Sequence, residues 1–566
     1  MTEAKTFRGD FISPPPAFQA EGVVCDKDVL VSMRDGVQLA CDVYRPAQPG
    51  PYPVLFATSR YIKDMVHLEA LACRRWRETG DIVGWVRRGY VYVLGDVRGS
   101  GKSGGQYGFL DETEQHDLYD MIEWAAVQTW SSGKVGMIGE SYFGLVQWAA
   151  ALQNPPHLAC IAPYDACSDL YRDLVYKGGI YYNAFHEYWD DDTRARTLLH
   201  YPQRGERDDY FRIDVLRQLL LHPWYDDFWA VRSFDLSKVK VPAFSIGNWG
   251  ALNAHLRSNL LAFEKMRGPR KLLVNSGDAQ HLFHSPPVEA ALASWYDYWL
   301  KGVDNGVMDE PPVKIAVRDA AGFQYRVEQD WPLARAMVRP LFLSPVPAGA
   351  VESVNDGSLS WMPPDGGPDQ TSYSYPHPKW SVPPLGGAMV SGKYQLPHAT
   401  RTRLTFSTAP LDRDLEVCGP IVLKLWASSS ATDTQFVAQI FDQPPLSEEM
   451  ARAISLLDVA PPAHRVTAGW LKASHRAVDK ARSTQMQPFH PHDAPEPLEP
   501  GKIYEFEIEI WPTSWIFRPG HRIRLDLAAT DGLYFLGHME ATDTIYHDAA
   551  HQSHLLLPVI ESEGAT

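Results

Sequence analysis

The sequence predicts an α/β domain on a parallel sheet, interrupted by a helical insertion and followed by an all-β domain. Three changes of pattern along the chain carry that prediction. From about residue 28 to 165, short apolar runs alternate with amphipathic helical spacing, which argues a parallel sheet covered by helices on both faces. From 167 to about 238 the alternation stops and Tyr, Trp, Asp and Arg accumulate. After about 331 the apolar period falls to two, as in half-buried strands.

Taken in order, Val54–Ala57, Val91–Leu94 and Val135–Ile138 read as buried strands, and Leu118–Val127 and Leu145–Leu152 as the helices among them. Residues 167–238 read as a helical cap, with helical spacing at Val215-Leu216 and Leu219-Leu220. The α/β pattern resumes with strands at Val241–Ile246 and Lys271–Asn275, an amphipathic helix near Val288–Leu300 and a strand at Val313–Val317. In the last part, Val422–Trp426 and Tyr504–Ile510 alternate strictly, and Pro- and Gly-rich connections such as 363–387 and 491–501 separate the strands. That combination predicts a sandwich of the jelly-roll type. The expected division is 1–166 with 239–330 for the α/β domain, 167–238 for the inserted cap and 331–566 for the jelly roll. Asp526 and Asp531, near its end, read as turn residues rather than metal ligands.

Composition narrows the function. With 566 residues, 45% of them hydrophobic and 22% charged, the chain has enough apolar surface to offset its conformational entropy, which excludes a disordered protein. A formal charge of −16 argues against nucleic acid or an anionic membrane as partner, since both are bound through clustered Lys and Arg. No run approaches the roughly 18 apolar residues of a membrane span. The Met1-Thr2-Glu3-Ala4-Lys5 start leads into charged, Pro-rich sequence unlike a signal peptide. Six cysteines without CxxC spacing read as reduced, packed thiols of a cytosolic protein, not a metal site or disulfide frame. A homodimer is left open, and neither metal nor organic cofactor is implied.

The chemistry centres on Lys134-Val-Gly-Met-Ile-Gly139-Glu140-Ser141-Tyr142-Phe143-Gly144, followed at once by helical spacing. A strand that ends in Gly-x-Ser and turns sharply into a helix is the nucleophile elbow of α/β-hydrolases. Ser141 would project above the sheet, and the Tyr142 N–H would face a developing oxyanion. The generic elbow has glycine two places after serine; here Phe143 stands there and glycine comes third. On the motif alone, a structural strand–helix turn stays open.

Gly-x-Ser-Tyr-x-Gly resembles the nucleophile motif of the cocaine esterase, X-prolyl dipeptidyl-peptidase and α-amino-acid ester hydrolase family. Gly95-Asp96-Val97-Arg98-Gly99-Ser100-Gly101-Lys102-Ser103-Gly104-Gly105 is similar to that family's D-V-R-G-x-G-x-S-x-G loop, and Asp169-Leu170-Tyr171-Arg172-Asp173 to its S-D-x-Y-R segment. Leu415–Pro420 and Phe517–Arg524 look like strands of its C-terminal jelly roll. The resemblance runs from about 28 to 560 and implies a serine hydrolase in three parts, with a small-molecule ester or amide as its expected partner. The Arg98 loop lacks the P-loop Gly-Lys-[Ser/Thr] spacing and reads as structural.

The resemblance also implies site residues. Tyr61, in the loop after the Val54–Ala57 strand, matches the tyrosine whose hydroxyl is the second oxyanion donor; a tyrosine packed with its hydroxyl at the rim is the alternative. His281, four residues after Gly277, matches the general base, with His284 as rival. The family's acid follows a Trp in G-W-Y-D, and aligning on Trp249 puts Ala251 at that position. Alanine cannot orient an imidazole or stabilise an imidazolium. Asp165, at the end of the strand after the nucleophile's helix, is the replacement we expect, against a helix-capping role; Asp278 ranks second, and a Ser-His dyad is the remaining option. Glu140 reads as facing away or tuning the pocket. Tyr176, Tyr181, Tyr182, Phe185, Tyr188 and Trp189 suggest an aromatic-lined pocket or, equally, cap core. An aminopeptidase or β-lactam acylase would need an anionic pocket for a substrate ammonium, which Asp190-Asp191-Asp192 could supply. A non-catalytic glycan-binding protein on the same scaffold is the alternative of a different class.

Overall fold

The computed structural model describes residues 20–64, 78–200, 214–251, 254–277, 285–376, 399–457, 461–530 and 540–561. Strands β1 (Val23–Ser32) and β2 (Gln38–Pro46) form an antiparallel edge. Next come β3 (Tyr52–Ser59), β4 (Val91–Asp96), β5 (Ser131–Glu140), β6 (Leu158–Tyr164), β7 (Ala243–Asn248), β8 (Arg270–Asn275), β9 (Val313–Asp319) and β10 (Gly322–Glu328). Across the sheet they lie in the order β1-β2-β4-β3-β5-β6-β7-β8-β9-β10, parallel from β4 to β9. Every residue of β4 and β7 is buried, as expected of strands covered on both faces. Ligands of such sheets bind beyond the carboxyl ends of the strands. Those ends present Tyr61, Ser141, Asp165, Asn248 and Gly277.

Helix α1 (Glu112–Ala126) follows β4, and α2 (Tyr142–Gln153) follows β5. Between β6 and β7 the chain is helical: a π-turn at Leu170–Val175, the two-residue hairpin Tyr176–Lys177 with Ile180–Tyr181, α3 (Asn183–His200), and short helices at Val215–Leu221, Asp227–Ala230 and Leu236–Lys238. Helix capping accounts for much of this segment's aspartate. Asp169, Asp214, Asp226 and Asp235 each accept a backbone N–H from the first turn that follows, satisfying donors the helix cannot. After β7 comes α4 (Leu256–Lys265), and after β8 comes α5 (Pro286–Tyr296).

The last part is antiparallel and β-rich. Strands Leu415–Ser429 and Tyr504–Phe517 pair along their length, and Gln435–Gln443 lies between His464–Lys472 and Arg522–Ala528. Their inward residues, among them Leu423, Leu425, Ile508, Ile510, Leu525 and Leu527, form one core. Two readings of this region are corrected. The 363–387 connection contains a strand, Gln370–Tyr375, paired with Ala541–Tyr546. Polar residues dominate it and Tyr373 alone is buried, so apolar alternation could not reveal it. Asp526 is not a turn residue: it lies within Arg522–Ala528, buried and 2.9 Å from the equally buried Arg524. Asp531 lies outside the described residues.

The two halves share a core of Trp249, Trp331, Trp470, Trp511 and Ile315. Residue 318 of β9 pairs with Trp515, and the Arg318 guanidinium donates to Thr513 Oγ1 (2.6 Å) and the Ser514 and Val466 carbonyls. The 176–181 hairpin also reaches across, its Gly178 carbonyl accepting from the Lys472 N–H at 2.8 Å. Gly178 has φ +54, and a Cβ there would lie 1.9 Å from the Trp470 carbonyl oxygen. Gly178→Ala is therefore expected to cost about 3 kcal/mol of stability, because a backbone carbonyl cannot step aside as a side chain can. A urea midpoint unchanged from wild type would show that the hairpin does not pack there.

The Arg98 loop is a structural clasp: the guanidinium binds Asp117 and Asp35, while Asp96 accepts the Lys63 and Lys102 backbone N–H groups. Among the described residues, the carboxylates with metal-ligand spacing, Asp28, Asp42 and Asp64, are met by the ammonium groups of Lys27, Lys63 and Lys102. No described helix is long and apolar enough to cross a membrane.

Candidate active site

β5 ends at Glu140 and α2 begins at Tyr142, so Ser141 alone turns the chain. It does so at φ 61, ψ −118, a conformation that L-residues seldom adopt and that is held by its surroundings. The glycines show how. A Cβ on Gly139 (φ +134) would lie 2.3 Å from Phe143 Cβ, and one on Gly144 would lie 2.6 Å from the Tyr164 carbonyl oxygen. Glycine three places after the serine is thus required where α2 crosses the end of β6. That contact explains the departure from the generic elbow.

Although Ser141 occupies the cap position of α2, its side chain caps nothing. Its Oγ lies 3.5 Å from the Tyr61 hydroxyl oxygen and 3.4 Å from His255 Nε2. The Tyr142 N–H is the first of α2 and precedes the helical hydrogen-bond ladder, at the positive end of the helix dipole. Tyr61 is buried, not at a rim, and its phenol oxygen accepts from Trp189 Nε1 at 3.1 Å. Burial pushes its phenol well above the usual range, so it meets a ligand as a neutral O–H donor. The Tyr142 hydroxyl points away, donating to Glu114 Oε1 at 2.6 Å; burial raises that carboxyl to about 7.

Of the aromatic residues in the helical segment, Trp189 reaches the site. Tyr176 stacks on Tyr171 instead, and Tyr188 is exposed. Asp190 is occupied: its carboxylate lies 3.1 Å from the Arg60 guanidinium, both side chains being 1% exposed. Arg60 itself is held between the rings of Tyr107 (4.3 Å) and Trp189 (4.7 Å).

Asp165 sits at φ 40 just past β6, next to the elbow, where the Ser141 N–H donates to the Tyr164 carbonyl. It caps no helix. Its carboxylate is fully buried and makes no side-chain hydrogen bond among the described residues, with the Asn248 backbone as its near polar neighbour. Burial pushes this carboxyl and that of Glu78 well above the carboxylate range, and the charge of Asp165 further opposes ionisation of Glu78. His281, His284 and Asp278 lie outside the described residues. The segment that carries them leaves the same sheet edge, since the Gly277 carbonyl accepts from Asn248 Nδ2 at 3.3 Å. Ala251, at the family's acid position, is buried in the turn after β7.

Sequence reasoning missed His255 and Glu78, and it offered Trp189 only as one of six aromatics of a pocket or cap core. His255 follows the Ala251 turn and precedes α4 in a stretch without a motif, so only tertiary closeness marks it. Loss of water around its ring, and secondarily the charge of Lys177, push its pKa down to about 3, so the imidazole is neutral.

A serine at a strained strand–helix elbow over a parallel sheet, with donors converging on its hydroxyl, defines a serine hydrolase of the α/β-hydrolase type. Residues 35–282 match the model of the X-Pro dipeptidyl-peptidase (S15 family) domain, and residues 305–556 that of the X-Pro dipeptidyl-peptidase C-terminal non-catalytic domain. The cocaine esterase of Rhodococcus sp. (strain MB1 Bresler) is 28% identical, over 94% of this chain and 98% of its own. A CocE/NonD family hydrolase from Staphylococcus aureus superposes with a TM-score of 0.79 at 26% identity, covering 95% of this chain and 94% of its own. An α-amino acid ester hydrolase shares the fold, with a TM-score of 0.73 at 21% identity over 98% of this chain and all of its own (100%). The chain therefore carries an X-Pro dipeptidyl-peptidase (S15 family) domain followed by the matching C-terminal non-catalytic domain, and it is a serine hydrolase of esterase type.

Proposed function

We propose that the protein hydrolyses a carboxylic ester, with amides as a second substrate class, through an acyl-enzyme on Ser141. Ser141 Oγ attacks the carbonyl carbon, and the carbonyl oxygen, as it gains charge, is held by the Tyr61 hydroxyl and the Tyr142 N–H. His281 takes the serine proton and returns it to the leaving group, and Asp165 orients His281 and stabilises its imidazolium. Water then attacks the acyl-enzyme by the same route in reverse. No step calls for a metal or organic cofactor. The observation that carries this reading is the approach of the Tyr61 phenol to Ser141 Oγ beside the first N–H of α2.

Tyr61→Phe tests it. A donor to charge that exists only in the transition state should cost about 10²-fold in kcat with little change in KM on a p-nitrophenyl ester. A change confined to KM would make Tyr61 a packing residue.

We place the helical segment 167–238 over the site as a cap and assign 331–566 as a jelly roll, with 1–166 and 239–330 as the catalytic domain. We also propose a cytosolic setting, on the ground that the six cysteines are scattered without CxxC spacing. The aminopeptidase reading loses its acidic pocket at Asp190, whose charge Arg60 already neutralises. The strained elbow, with Ser141 Oγ beside the Tyr61 phenol, favours catalysis over the non-catalytic glycan-binding alternative.

A further inference from the structure

We propose that Trp189 is a positioning residue of the oxyanion hole: its indole N–H fixes the Tyr61 phenol so that the phenol hydrogen points toward the oxygen of the attacked carbonyl. The inference rests on the reading of Tyr61 as an oxyanion donor and adds what aims that donor. An indole N–H can only donate, whereas a phenol has one hydrogen and an oxygen that accepts. The 3.1 Å contact between Trp189 Nε1 and the Tyr61 oxygen is therefore made in one sense only, with the phenol as acceptor. The phenol hydrogen is then directed away from the indole, and Ser141 Oγ lies 3.5 Å from the same oxygen. Without the indole, the O–H could rotate, and orienting it would have to be done during the reaction instead of beforehand. Preorganisation of this kind is what gives an oxyanion donor its advantage over water.

Trp189 is itself held firmly enough for the task. It is 9% exposed, stacked on Tyr142 (centroids 6.3 Å apart, 17° between planes), edge-on to Tyr61 at 6.5 Å, and covered by the Arg60 guanidinium. The next residue in α3, Asp190, pairs with Arg60, the neighbour of Tyr61 in sequence. Helix α3 and the loop after β3 are thus joined at two successive residues on each side, so a movement of α3 would shift Tyr61 with it.

A double-mutant cycle on purified full-length protein with a p-nitrophenyl ester separates positioning from packing. Trp189→Phe keeps an aromatic ring and removes the N–H. It should lower kcat by about 5- to 30-fold with KM within about twofold, and in a Tyr61→Phe background it should change kcat by less than about twofold. Equal losses from Trp189→Phe in both backgrounds, or a change in KM alone, would overturn the proposal while leaving the Tyr61 assignment intact. Full activity in Tyr61→Phe would instead remove the reading on which it rests. If Trp189→Phe does not fold, 3-benzothienylalanine at position 189, which replaces N–H by sulfur at the same ring size, carries the same expectations.

Discussion

Ser141→Ala should lower kcat for ester hydrolysis by about 10⁶-fold, and the variant should not react with a fluorophosphonate probe while its circular dichroism stays unchanged. The size follows from covalent catalysis: without Oγ there is no acyl-enzyme, and only the residual advantage of binding and the oxyanion donors is left. The fold should survive because the hydroxyl caps nothing and, among the described residues, it hydrogen-bonds with Tyr61 and His255 only. Ser141→Gly should be equally inactive but more stable than wild type, by roughly 1 kcal/mol, because glycine adopts φ 61 without strain. The urea midpoint reads that gain. Wild-type labelling of Ser141→Ala would sink the assignment of the nucleophile.

Asp165→Asn should cost about 10³- to 10⁴-fold in kcat, and His281→Ala a similar factor, whereas His255→Ala should cost about tenfold. The ranking comes from what each group can do with a proton. His255 is within reach of Ser141 Oγ, but the charge facing it is that of Lys177, which opposes an imidazolium. At a pKa of about 3 it is too weak a base for a reaction near neutral pH. Asp165 has the opposite need. A buried carboxyl group with no side-chain partner is held protonated, and an imidazolium within hydrogen-bonding distance would draw it back to the charged form. Ala251→Asp in the Asp165→Asn background should recover part of the loss, since it puts a carboxylate at the position that the resemblance assigns to the acid. Collapse of activity in His255→Ala with His281→Ala unaffected would make His255 the base and leave Asp165 without a catalytic role.

Much of this architecture was legible because its causes are local. Strands such as β3, β4 and β5 are continuous apolar runs, and the elbow is set by glycines whose absent side chains leave room for neighbouring backbone. The helical segment showed in the loss of strand alternation and in the helical spacing at Val215-Leu216 and Leu219-Leu220, while the capping role of its aspartates is visible only in the structure. Strand Gln370–Tyr375 was hidden because its pairing is made by backbone groups under polar side chains. Asp526 was misjudged because its partner, Arg524, lies beside it on one face of a strand, a geometry that spacing alone does not distinguish from a turn. In the site, Ser141 and Tyr61 follow from position after a strand. His255 does not, and Trp189 shows only as one of several aromatics in the helical segment, since both come from segments distant in sequence and carry no motif. The tyrosine–tryptophan contact depends on where a long helix lies, which is a tertiary fact.

The tryptophan-rich seam between the halves bears on how such a chain could be taken apart or recombined. Trp249 on one side and Trp331, Trp470 and Trp511 on the other meet in a single core, and the Gly178 hairpin fits against the Trp470 backbone with no space to spare. A catalytic half expressed by itself would present those indoles to water, an apolar area of the kind that drives aggregation. Grafting the β-rich half of a distant relative would demand a matching set of indoles and a backbone that clears residue 178. The two halves are therefore expected to be exchanged together, as one heritable unit, and a library of chimaeras should yield soluble members only where the crossover leaves both faces of this seam from the same parent.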